Sequence, residues 1–112
     1  MINKYEKEVM GILDDIKKAM ASKNVISFHY TDSEGVSGVR TVEPHLVGKT
    51  KKGVVMLSAY QVKGVTQDAG HLWKQYNECK IVSLEILDQT FTQTRLGYNS
   101  NDSRYPIILV KI

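Results

Sequence analysis

Cysteine is nearly missing from this chain: Cys79 is the single one among 112 residues, so no internal disulfide can form. Long apolar runs are missing as well, and nothing approaches the roughly 20 consecutive apolar residues that a membrane-spanning helix needs. The opening Met1-Ile2-Asn3-Lys4-Tyr5-Glu6 lacks the apolar stretch of a secretory signal, which makes the cytoplasm the expected compartment. Internal repeats and low-complexity segments are also absent. A strong charge of either sign is wanting too, for the formal net charge is only +3 with a pI near 9.0. That balance favours anionic partners but falls far short of a dedicated nucleic-acid arm.

The sets that carry catalysis are missing in turn. His29, His45 and His71 fall in separate stretches, with no second ligand at a metal-binding spacing, and read as ordinary surface or edge histidines. Asp14 and Asp15 are neighbours on a solvated helix face and do not converge as an acid and base would. Cys79 has no glycine-flanked signature and is expected to pack as a small hydrophobe at a strand start. Gly48-Lys49-Thr50 resembles the end of a phosphate-cradling loop, but Glu43 stands where that loop needs glycine and would repel a phosphate. With no nucleophile, base or metal set, the chain is expected to be a binding module rather than an enzyme, and to need no cofactor.

What is present is enough for one domain: 42% apolar and 24% charged residues are the proportions of an ordinary globular protein. Over Lys4–Ser22 the residues Tyr5, Val9, Ile12, Leu13, Ile16 and Met20 recur at helical spacing, which predicts an amphipathic helix. Asn24 is a plausible left-handed stop. Residues 25–30 alternate, with Ile26, Phe28 and Tyr30 on one face, as in a half-buried strand. Further strands are expected over 38–47, with Pro44 at a bend or bulge, over 54–62 in a central position, over 71–76 and over 79–88. In the last of these Val82, Leu84 and Ile86 should point inward.

One helix followed by five short strands predicts a mainly β fold, a small antiparallel barrel capped by the helix. The expected division is 1–24 for the helix, 25–91 for the barrel and 92–112 for a C-terminal extension. Residues 107–112 are apolar on both faces except for Lys111 and need a covering partner. Either the chain's own barrel or a neighbouring subunit could supply it, and the expectation leans slightly to a homodimer.

The order of these residues resembles the WYL domain, an SH3-like barrel common in bacterial transcriptional regulators. Ile26-Ser27-Phe28-His29-Tyr30 is similar to that family's first strand, Arg40-Thr41-Val42-Glu43-Pro44-His45-Leu46 to its arginine-to-proline strand, and Leu57-Ser58-Ala59-Tyr60 to the end of its central strand. Lys74-Gln75-Tyr76 with Lys80-Ile81 resembles its basic block. The likeness runs from Ile12 to Phe91, about seven tenths of the chain, and is carried by order and spacing. It departs from the family where Trp-Tyr-Leu is expected, since Val55-Met56-Leu57 stands there, and where arginines are usual, at Lys74 and Lys80.

The resemblance implies a ligand groove lined by Arg40, Lys74 and Lys80, with Tyr60 beside it, taking a nucleotide or short single-stranded nucleic acid. It also implies transcription regulation beside a separate DNA-binding or effector protein, because one helix cannot form a helix-turn-helix. The residues themselves agree in one respect. Lys74 and Lys80 are in phase with apolar neighbours, so each should meet an anionic ligand or a carboxylate such as Glu43, Glu78 or Glu85. Phe28 and Tyr76 are expected in the core, Lys49, Lys51 and Lys52 at a solvated hairpin tip. The competing function is an SH3-like protein-interaction or dimerisation module without a small ligand.

Overall fold

A computed structural model describes residues 4–65 and 70–112, with helix side chains described from Gly11 onward. The expected polar loop before Gly70 and the side chains of Tyr5 and Val9 lie outside the described residues.

The helix α1 spans Lys4–Ser22. Ile16, Ala19 and Met20, three and four positions apart, are buried, while Asp14, Lys17 and Lys18 stay in water. The residue that turns left-handed after it is Lys23 (φ 52°), not Asn24, and its N–H closes on the Met20 carbonyl at 3.2 Å. Asn24 is extended because its side chain is used elsewhere, donating to the Leu87 carbonyl at 2.8 Å across to the last strand of the sheet's path.

Four strands follow in a meander, β1 (Asn24–Thr31), β2 (Ser37–Lys49), β3 (Val55–Gly64) and β4 (Trp73–Asn77); β5 (Val82–Thr90) returns beside β1, and β6 (Ile107–Lys111) comes at the end. All neighbours are antiparallel, in the order β4-β3-β2-β1-β5, with β6 joined to β2. Among the described residues β4 and β5 form no ladder with each other, so the sheet is open rather than a closed barrel.

β2 is the spine. Its one edge pairs with β3 from Arg40 to Lys49, while the other serves β1 as far as Val42 and β6 from Leu46 onward. Pro44 sits where the partner changes, at a register shift between Pro44 and Leu46, as expected of a residue with no N–H for a ladder. The apolar C-terminal strand thus pairs with β2 of its own chain, the first of the two arrangements that the sequence left open. β6 occupies the edge of the second half of β2, beyond the stretch that pairs with β1.

Beneath the helix, Ile16, Ala19 and Met20 pack on Ile26, Phe28, Tyr30, Val42, Val47, Leu57, Ala59, Tyr76 and Ile81. Phe28, Tyr30 and Tyr76 meet edge to face, with centroids 5.0 to 6.2 Å apart.

The expected strand over 79–88 is not continuous. Glu78–Lys80 forms a single 3-10 turn, capped by the Asn77 carboxamide oxygen, which accepts from the Cys79 N–H at 3.1 Å. Cys79 is therefore exposed instead of packed. Within β5 the inward alternation also fails: Val82 is 50% exposed and Ile86 39%, and only Leu84 and Leu87 are half-buried. Ser83 adopts a left-handed φ of 54°, and the β1–β5 register shifts between Ser27 and His29, which breaks the two-residue period.

Candidate ligand-binding site

Arg40 of β2 lies opposite Phe28 on one side and Gly64 on the other. Gly64 has φ +107° because β3 passes close to β2 there, and a Cβ would sit 2.1 Å from the Val39 carbonyl oxygen. This close approach helps sink Arg40 to 4% exposure.

The loop from β1 to β2 supplies its surroundings. Asp32 holds that loop by accepting from the Glu34 and Val36 N–H groups, both at 2.9 Å, while Gly35 takes φ +85°. The Val36 carbonyl is thereby aimed at Arg40, whose Nη2 donates to it at 2.8 Å. Asp32 Oδ2 is more distant, at 3.9 Å. The guanidinium lies 5.8 Å from the Tyr30 ring centroid. Its Nε is buried without a hydrogen-bond partner among the described residues.

Lys80 reaches the same neighbourhood. His29, Tyr30, Thr31, Asp32, Lys80 and Val82 line a surface cavity of about 440 Å³, so Lys80 shares Tyr30 and Asp32 with Arg40. Lys80 itself is exposed on the 3-10 turn rather than leaning inward, since the strand on which that expectation depended begins later. Lys74 stands opposite Ala59 on β4, in phase with Tyr76 and away from this cavity's lining. Tyr76 is 2% exposed, and burial pushes its hydroxyl well above the ordinary tyrosine value against the opposing pull of Arg40.

Tyr60 belongs to a different place. It pairs with Trp73 across β3 and β4, their rings 5.7 Å apart, and the Arg95 guanidinium covers it at 4.6 Å. Arg95 Nε and Nη2 also donate to Glu43 Oε1 and Oε2 at 2.8 and 2.9 Å, a two-pronged pair. Glu43 is thus claimed by Arg95 rather than by Lys74 or Lys80. His45, Phe91 and Tyr98 complete this second cluster.

The sequence singled out Arg40 and Lys80 but missed Tyr30 and Asp32 as their neighbours. The signal for Asp32 was a turn aspartate followed by Gly35, which promises a carboxylate near the end of β1. In comparison with known proteins, no protein-family model matches this chain and no curated protein matches it significantly.

Proposed function

We propose that the protein is a ligand-binding regulatory module of the WYL type, an SH3-like barrel in kind. Its basic edge at Arg40 and Lys80 would hold an anionic ligand, a nucleotide or a short single strand. The meander with an N-terminal helix supports the architecture, because a bent sheet in the order β4-β3-β2-β1-β5 needs only its two end strands to approach for closure. One observation carries the functional reading. Among the described residues Arg40 is a buried cation with one close acceptor, a carboxylate at 3.9 Å and an orphaned Nε, set behind Tyr30 and Asp32, which together with Lys80 line the cavity. A buried guanidinium so lightly paired gains from an added anionic acceptor. Lys74 would add charge at longer range, and Tyr60 contributes nothing directly while Arg95 covers it.

A second reading, a protein-interaction module, is favoured by the exposed row Val39, His29 and Val82, which are neighbours across β2, β1 and β5, with Val39 52% exposed. Titration of the protein with labelled oligonucleotides and free nucleotides at several salt concentrations separates the two. Anion binding should weaken as salt rises, and Lys80→Ala should weaken it further and reduce the slope of log K against log salt by about 1. Binding that ignores salt, or a Lys80→Ala variant equal to the parent, would turn the assignment towards the apolar row.

A further inference from the structure

We propose that His45 is a proton-sensitive latch that fastens residues 91–98, a strap after β5, over the aromatic pair Tyr60 and Trp73. His45 is fully buried, and both of its ring nitrogens are engaged. Nδ1 lies 2.8 Å from the Glu43 carbonyl, which can only accept, so Nδ1 carries the proton. Nε2 lies 3.2 Å from the Arg95 backbone nitrogen, whose N–H donates to it, so Nε2 is bare. Only the neutral ring with its proton on Nδ1 satisfies both bonds. A second proton would have to enter at Nε2, where it would face the Arg95 N–H and abolish that bond.

Part of the strap's remaining attachment falls on the same residue, beside the Arg95–Glu43 ion pair and the bond from the Phe91 N–H to the Lys23 carbonyl at 2.9 Å. Phe91 stacks on the imidazole with centroids 5.3 Å apart and planes 19° apart, and Tyr98 meets its edge at 5.2 Å. The Tyr98 hydroxyl sits between two acceptors, the Ile112 carbonyl at 3.0 Å and the His45 carbonyl at 3.3 Å, and the Ile112 N–H donates to the His45 carbonyl at 3.0 Å. The Trp73 indole N–H is held by the Leu96 carbonyl at 2.7 Å. Glu43 and residues 89–96, among them the His45 neighbours Phe91 and Arg95, line a cavity of about 460 Å³.

Among the described residues the charged and titratable groups facing His45 are Glu43 from β2 and Arg95 and Tyr98 from the strap itself; Trp73 is the neighbour from β4, with Tyr60 of β3 behind it. Burial disfavours the imidazolium most, the Glu43 carbonyl and carboxylate oppose that, and the Arg95 charge adds to it, leaving the pKa below the ordinary 6.5. The folded value is therefore lower than that of the released chain. The stabilisation from the neutral ring is complete above 6.5 and is lost as pH falls through that value towards the folded pKa. Proton uptake thus favours the released strap, and release bares Tyr60 and Trp73.

Trp73 is the only tryptophan and touches the latch at 4.8 Å, so the intact chain reports on itself. Its emission, followed from about pH 7.5 to about pH 4.5 alongside far-ultraviolet circular dichroism, should shift to the red with a midpoint below the free imidazole value while the secondary-structure signal holds. An unchanged emission, or an emission that moves only together with loss of secondary structure, would overturn the latch. His45→Phe keeps an aromatic ring but accepts no proton, and its emission should stay flat over the same range. Should that variant not fold, the His45 ring resonances of the parent decide instead. Their titration midpoint should coincide with that of Trp73, and two separate midpoints would overturn the proposal.

Discussion

Glu43 and Arg95 form an ion pair of unequal partners. The Glu43 side chain is 5% exposed and that of Arg95 44%, so the carboxylate depends on the guanidinium far more than the reverse. Removing the arginine strands a buried anion, whereas neutralising the glutamate leaves a cation that can turn to water. Arg95→Ala should therefore lower stability by about 1 to 3 kcal/mol, and Glu43→Gln by clearly less, in urea unfolding of the two variants. Equal costs would mean that Arg95 serves mainly by packing on Tyr60. Neither role was readable beforehand, because Arg95 stands 52 residues from Glu43 and 50 from His45 in sequence, and no local pattern links them. Arg40 was readable as a site candidate only through its resemblance to a family strand. Its burial came from Gly64 and the Asp32 turn, two local signals whose meeting depends on the β2–β3 register.

At the scale of elements, periodicity told most where one face of an element is buried along its length. The helix and β1 satisfy that condition, and both follow the pattern seen in the sequence. β5 does not, since the left-handed Ser83 breaks the alternation and Val82 and Ile86 stay largely in water. β2 carries a similar break to better effect: the shift at Pro44 lets Val42 and Val47, five positions apart, both join the core. The same shift opens the edge that β6 fills through Leu46, Val47, Gly48 and Lys49. Because the terminal strand completes its own sheet, deleting residues 106–112 should destabilise the domain and promote association through the bared edge of β2. Light scattering should then show larger species for the truncated chain than for the parent. A truncated chain that is smaller in assembly state would instead restore the intersubunit pairing.

Over the whole molecule the sheet separates two kinds of attachment. On the helix side, Phe28, Tyr76, Leu57 and Ile16 form a continuous apolar core, and the cost of opening it is the cost of unfolding. The strap side is held by the Arg95–Glu43 ion pair and by a few polar bonds and stacked rings around His45, and residues 91–106 belong to no strand. Local opening there exposes little of the core, so it should require much less free energy than global unfolding. Amide hydrogen exchange should reveal this as a gradient. The β2 and β3 amides, flanked on both sides by ladders, should exchange only with global unfolding, and at least about tenfold more slowly than the Arg95 amide and those on the free edge of β5. Acidification through the His45 transition should speed the Arg95 amide, measured against the intrinsic rate at each pH, and leave β3 unchanged. If the Arg95 amide is as protected as the middle of β3, the strap is part of the cooperative core and no separate latch operates.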